Sequence, residues 1–293
     1  MKLNRLGNSE LEISEISFGC MSLGNDHSDN ETLLRNAFDS GINFFDTADL
    51  YDKGWNEESV GKALAPIRDK VIIATKVGNQ WREDGSGWDW NPKKEYILKA
   101  VEESLFRLKT EYIDLYQLHG GTIDDPIDEA IEVFELLKKQ GKIREYGISS
   151  IRPNVIREWI EKSTMVSVMM QYSLLDRRPE EACLDLLHQY NVSVITRGSL
   201  AKGMLIDKPP KEYLGYSEEE VFNLQKAIQR TGNPIANSLQ FVLKHPSVAS
   251  AVVGIRTEEQ LNGVISSLKN SVSDKVLSEL ATVLEPKVYE KHR

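Results

Sequence analysis

The sequence predicts an α/β fold: a (β/α)8 TIM barrel with an N-terminal β-hairpin and long loops at the C-terminal face. Three observations predict it. Eight short, nearly continuous apolar runs alternate with longer amphipathic stretches, the pattern of parallel strands covered on both faces. No glycine-rich phosphate motif follows the first run, which favours a closed barrel over a doubly wound sheet. Ionisable residues close several of the runs, at the strand ends where a barrel gathers its chemistry.

The hairpin occupies residues 1–14, with its turn at Gly7-Asn8. The strands are expected at 13–18, 43–46, 71–75, 113–118, 145–148, 166–171, 192–196 and 249–253. Helical periodicity fills the intervals, at 30–39, 94–108 and 127–139 among others. In the last of these Ile127, Ile131, Phe134 and Leu137 share one face, while Asp128, Glu132, Glu135 and Lys138 lie outside it. Two helices at 218–231 and 235–244 precede the last strand, the second opened by Pro234 as a first-turn residue. Such alternation specifies βαβ units with right-handed crossovers. No linker or low-complexity segment divides the chain, so residues 1–293 are read as one domain.

The net charge of −9 argues against a nucleic-acid partner, which requires a concentrated basic surface. No run is long and apolar enough for a bilayer span, and residues 1–7 carry no signal-like apolar core. Cys20 and Cys183 have neither metal-ligand spacing nor partners for a disulfide framework, and are expected to be small buried hydrophobes. A cytoplasmic protein, monomeric or a small homo-oligomer, is expected.

Four residues suit proton transfer to a carbonyl oxygen: Asp46 and Tyr51 after the second strand, Lys76 ending the third and His119 ending the fourth. Tyrosine is a weak acid, with an ordinary pKa of about 10. A neighbouring ammonium is expected to lower that value, and a carboxylate to hold the ammonium charged. Tyr51 is therefore the expected proton donor, Lys76 its modulator and Asp46 the partner of the lysine. His119 is expected to donate a hydrogen bond to the substrate oxygen and to assist its protonation. Each residue alone has an ordinary reading as a cap, loop anchor or structural side chain; their joint placement favours chemistry. Trp55, Trp81 and Trp88, with Trp90 in the same long loop at 78–93, are candidates for an aromatic substrate wall. Asp84 and Asp89 in that loop suggest that strongly anionic substrates are disfavoured.

These residues in this order resemble the aldo-keto reductases. The resemblance is carried by Ile16-Ser17-Phe18-Gly19, by Asp46-Thr47-Ala48-Asp49-Leu50-Tyr51, by Thr75-Lys76 and by Asp114-Leu115-Tyr116-Gln117-Leu118-His119. Gly141-Lys142-Ile143-Arg144 and Tyr146-Gly147-Ile148-Ser149 extend it, so that it covers nearly the whole chain. It implies an NADPH-dependent barrel enzyme of the bacterial short-tail branch, reducing small carbonyl substrates to alcohols through the tetrad Asp46, Tyr51, Lys76 and His119.

The resemblance also implies cofactor contacts, several of which depart from the family pattern. Ser149-Ser150 stands where Ser-Asn usually holds the nicotinamide amide, and Met169 is aligned with a customary glutamine. Arg197 stands where an aromatic ring usually stacks, and its charge is expected to disfavour the oxidised, positive nicotinamide of NADP+ relative to NADPH. Gly198, Ser199, Leu200 and Lys202 are expected along the pyrophosphate. Gly254, Ile255, Arg256 and Gln260 are expected at the adenosine end, with Arg256 on the 2′-phosphate. The usual adenine-contacting pair appears as Gly263-Val264. Two alternatives remain at this level. One is a nicotinamide-binding, redox-sensing regulatory subunit, disfavoured by the intact tetrad and by the lack of a long extension before the hairpin. The other is a Schiff-base aldolase or isomerase, disfavoured because Asp46 keeps Lys76 charged.

Overall fold

The protein is described here by a computed structural model covering all 293 residues, Met1–Arg293. The N-terminal strands β1 (Leu3–Arg5) and β2 (Glu12–Ser14) pair antiparallel, as the turn at Gly7 requires. Eight parallel strands then close into a barrel. They are β3 (Ile16–Gly19), β4 (Phe44–Asp46), β5 (Ile72–Val77), β8 (Ile113–Leu118), β9 (Ile143–Ser149), β10 (Ser167–Gln171), β11 (Ser193–Arg197) and β12 (Val248–Gly254). The remaining pair, β6 (Asn79–Trp81) and β7 (Trp88–Trp90), forms an antiparallel hairpin inside the long segment after β5, where sequence reading gave only a loop.

Helices α1 (His27–Asp39), α2 (Trp55–Leu64), α3 (Lys94–Leu108), α4 (Ile127–Lys139), α5 (Pro153–Lys162) and α6 (Cys183–Gln189) follow successive strands. After β11 come α7 (Glu218–Arg230) and α8 (Pro234–Leu243), and after β12 come α9 (Glu258–Ser267) and α10 (Asp274–Ala281). Their apolar stripes face the strands and build a continuous core of 67 buried residues between barrel and helix layer. α7 opens with a complete capping box, Ser217 and Glu220 each satisfying the other's backbone amide.

A second, separate core of 12 residues fills the barrel itself. Leu6, Leu11 and Ile13 from the hairpin plug its N-terminal end, and Phe44, Ile72, Ala74, Leu115, Met169 and Ile195 stack above them. Side chains alternate along a strand, so the next inward position lies two residues further on. That rule lifts Asp46 above Phe44, Lys76 above Ala74, Gln117 and then His119 above Leu115, Gln171 above Met169, and Arg197 above Ile195. The apolar plug thus ends in a ring of polar side chains at the C-terminal mouth.

No helix is long and apolar enough to cross a membrane. Cys20 and Cys183 are both free and buried, as expected.

Candidate active site

Asp46, Lys76 and Tyr51 meet at the barrel mouth. Lys76 Nζ lies 2.7 Å from Asp46 Oδ2, 2.7 Å from the Thr47 carbonyl oxygen and 3.4 Å from the Tyr51 hydroxyl. Gln117 Nε2 donates weakly to the other Asp46 oxygen at 3.5 Å. His119 meets the Tyr51 ring edge-on, with ring centroids 5.9 Å apart and planes at 83°. All four predicted residues therefore share one site. The His119 Nδ1 atom is buried and has no partner within the protein.

The electrostatics differ from expectation at Tyr51. Burial raises the phenol above its ordinary value, and Lys76 lowers it only in part because Asp46 opposes the ammonium. For Lys76, burial favours the neutral amine, but Asp46 and Tyr51 outweigh it and hold the ammonium above its usual range. Burial, with the nearby charges of Lys76 and Arg197, lowers His119 to about 3. The imidazole is thus neutral at physiological pH: it can donate one hydrogen bond but has no surplus proton. The expectation that His119 assists protonation gives way to a purely hydrogen-bonding capacity.

The segment bearing Tyr51 is held in an uncommon backbone. Tyr51–Gly54 forms a short 3-10 turn in which Asp52 and Lys53 adopt left-handed conformations with φ of 49° and 55°. Gly54, at φ 88°, has Arg107 so close that an added Cβ would lie 2.7 Å from the arginine Cδ. Behind this turn Asn56 accepts from Thr47 Oγ1 at 2.6 Å and donates to the Cys20 carbonyl at 2.8 Å. Glu57 is fully buried; it accepts from Thr75 Oγ1 at 2.5 Å and from Arg107 Nε at 2.7 Å. Sequence reading missed both residues. Their signal was polarity at positions where the period of α2 required burial.

The tryptophans divide. Trp81 donates to the Leu50 carbonyl at 3.1 Å and Trp55 stacks on His27 at 4.2 Å, which places both beside the Tyr51 turn. Trp88 stands on β7, half exposed. Trp90, named only as a neighbour in the cluster, packs against Gly120 and Gly121 next to His119 and donates to Asp125 at 3.0 Å. Of the acidic residues of this loop only Asp89 is paired with a cation. Asp89 is held by Arg82 at 2.9 and 2.6 Å, and Asp84 caps the Ser86 amide at 2.9 Å.

Comparison with known proteins agrees with this geometry. The pattern of the Aldo/keto reductase family matches residues 15–285. The chain belongs to the aldo-keto reductase family. It is 48% identical to the "Uncharacterized oxidoreductase YqkF" of Bacillus subtilis (strain 168), with 100% of both chains covered. It is 28% identical to the NADH-specific methylglyoxal reductase of Escherichia coli (strain K12), over 97% of this chain and 100% of that one. Among solved structures it is similar to the holo form of aldo-keto reductase AKR11C1 from Bacillus halodurans. There the TM-score is 0.96 at 46% identity, with 100% of this chain and 99% of that chain covered. For the apo form of the same protein the TM-score is 0.88.

Aldo-keto reductases are oxidoreductases acting on carbonyls with nicotinamide cofactors, and the mouth residues of this chain fit such a group. Arg197, Lys202 and Arg256 are exposed along the β11–β12 side of the mouth, and none pairs with a carboxylate. Ser149 ends β9, half buried, and Gly198 and Gly254 leave the ends of β11 and β12 open. Ser150 is buried beneath the α5 entry, where its hydroxyl accepts from the Arg152 amide at 3.2 Å. Ser199 Oγ is tied to Thr196 at 3.0 Å, Leu200 packs against the core, and Gln260 accepts from the Arg256 amide at 2.9 Å.

Two of the expected contacts fall on residues with buried side chains. Met169 is 2% exposed inside the apolar plug, so its side chain cannot reach a ligand at the mouth. Gln171, two residues later on the same inward row, occupies the mouth and bonds Tyr213 at 2.9 Å and Arg197 at 3.0 Å. The Ile255 side chain is fully buried in the outer core, which leaves only its backbone for a ligand. Val264, at the expected adenine position, is buried within α9.

Proposed function

We propose that this aldo-keto reductase reduces aldehydes or ketones to alcohols with NADPH, Tyr51 delivering the proton to the carbonyl oxygen. The observation that carries the proposal is Lys76 Nζ bridging Asp46 at 2.7 Å and the Tyr51 hydroxyl at 3.4 Å. Bound NADPH supplies the hydride that reduces the carbonyl carbon. The protein's part begins with the carbonyl oxygen held between the Tyr51 hydroxyl and the neutral His119, whose N–H orients it. As negative charge develops on that oxygen, the Tyr51 O–H bond breaks and its proton moves across. The resulting phenolate is stabilised by the Lys76 ammonium, which Asp46 keeps charged. Burial of the pair excludes water and strengthens that stabilisation.

Ser149 and Gln171 are the residues proposed to hold the nicotinamide amide, and Arg197 to lie over its ring. Gly198, Lys202 and the exposed Gly254 line the path of the pyrophosphate. Arg256, exposed and free of a carboxylate, is proposed to take the 2′-phosphate, which favours NADPH over NADH.

The test is carbonyl-dependent oxidation of NADPH and of NADH with a panel of aromatic and aliphatic aldehydes. Turnover with NADPH, a preference over NADH and loss of that preference in Arg256→Ala support the proposal. Cofactor binding without turnover of any carbonyl contradicts it.

A further inference from the structure

Beside the four mouth residues lies an open cleft of about 850 Å³, lined in part by Gly120 and Gly121 after β8, by Ser150, Ile151 and Arg152 after β9, and by the tail Pro286–His292. The tail is fixed across this side of the barrel. The Asn154 amide donates to the His292 carbonyl at 2.9 Å, and the Tyr289 amide to Glu181 at 3.2 Å.

The charges around the cavity are not balanced. Arg178 is satisfied by the buried Asp176, at 2.7 Å from each of two nitrogens. Arg152 and Lys291 have no carboxylate partner, Lys287 lies over the Tyr216 ring with its charge also felt by Glu220, and Glu290 is the one acidic residue in the lining. Arg152 is half buried. Its Nη1 donates to the Gly121 carbonyl, while Nε and Nη2 bond nothing in the chain. Those two nitrogens form the parallel fork that matches a planar carboxylate. Gly121, whose carbonyl accepts from Arg152, follows His119 by two residues, so Arg152 is tied to the loop that leaves the candidate proton-transfer site. The exposed candidates for the cofactor phosphates, Lys202 and Arg256, follow β11 and β12, away from this β8–β9 side.

We infer that this cavity receives a carboxylate carried at the far end of the carbonyl substrate, with Arg152 as its forked partner and Lys287 and Lys291 as supporting charge. The inference rests on the reductase reading and narrows it to aldehydes that carry a carboxylate at their far end. It replaces the expectation, drawn from Asp84 and Asp89, that anionic substrates are disfavoured.

The experiment compares 4-formylbenzoate with its methyl ester as substrates, in wild type, Arg152→Met, Arg152→Lys and Lys287→Met. The ester is the more electrophilic aldehyde, so intrinsic reactivity works against the predicted preference. Both substrates are measured on the same preparation, so partial misfolding of a variant cancels in the ratio of their kcat/KM values. Wild type is expected to favour the carboxylate. Arg152→Met should lower the ratio about tenfold, the scale of a hydrogen bond to a charged group. Arg152→Lys should lower it less, and Lys287→Met by a smaller factor. A wild-type ratio at or below one, with the ester turned over, overturns the inference and leaves the reductase reading intact. An unchanged ratio in Arg152→Met, or a higher KM for NADPH in its place, also overturns it by returning the cavity to the cofactor. Turnover of neither aldehyde by a protein that reduces other carbonyls of the panel overturns the inference alone; turnover of no carbonyl at all ends both readings.

Discussion

Lys76 and Asp46 form an ion pair at 2.7 Å in which the lysine side chain is 1% and the aspartate side chain 6% exposed. A charge so deeply placed depends on its partner, because the unpaired group would bear the full cost of desolvation. Lys76→Met is therefore expected to destabilise the fold by about 3 kcal/mol and to remove most turnover. Chemical denaturation beside the activity assay checks both. Unchanged stability would mean that the pair contributes no more than a surface contact.

The pH profile follows from the two titrating groups that face the substrate position. His119 is lowered to about 3 and stays neutral above that; Tyr51 is raised above its ordinary value and stays protonated below it. Neither gains or loses a proton between roughly pH 5 and pH 9, so kcat/KM for reduction should be flat there and fall as Tyr51 ionises at higher pH. An inflection near the ordinary histidine value, about 6.5, would show that His119 acts as a charged acid.

Arg107 reaches from α3 to the buried Glu57 at 2.7 Å and packs against Gly54, at the end of the Tyr51 turn. Arg107→Met leaves Glu57 buried without its cation and should cost about 3 kcal/mol of stability. It should also lower kcat with little change in NADPH affinity, because the turn that carries Tyr51 loses its support. A loss confined to stability would restrict the pair to the fold.

Arg197 lies at the mouth, bonded to Gln171 at 3.0 Å, and its charge is felt at Asp46, Tyr51 and His119. A cation over the nicotinamide disfavours the positive, oxidised ring. Arg197→Ala is expected to tighten NADP+ relative to NADPH by about fivefold, the scale of roughly 1 kcal/mol for a partly solvated charge interaction. Fluorescence titration with both forms measures it, and an equal ratio in wild type and variant would remove the idea.

Much of this architecture was legible in the residues. The helix at 94–108, the helix at 127–139 and the strand at 113–118 match the structure residue for residue, since each combines strong periodicity with a clear polar or glycine boundary. Most other barrel strands differ by one or two residues, because a buried strand shades into the turn that follows it, whereas the first begins three residues later than expected because Ile13 and Ser14 belong to the hairpin strand β2. The β6–β7 hairpin escaped because Trp, Asp and Arg around Gly85 read as loop chemistry; cross-strand pairing between Trp81 and Trp88 is a tertiary fact. The tetrad was legible because strand ends converge in any barrel. Met169 was expected at the cofactor, whereas the polar side chain that reaches the mouth from this strand is Gln171, two residues on. Period-two counting from the apolar plug separates them, but only once the inward face of β10 is known. Arg152 and the tail carried no local signal, since their meeting depends on the closed fold.

The central claim is that Tyr51 is the proton donor, and Tyr51→Phe tests it most directly. The substitution removes one oxygen and keeps the ring that meets His119. Reduction should fall by about 10²–10⁴-fold, the usual contribution of a positioned acid, while NADPH binds as before. Turnover within a few-fold of wild type, with NADPH bound equally, would contradict the account and place the proton with another group.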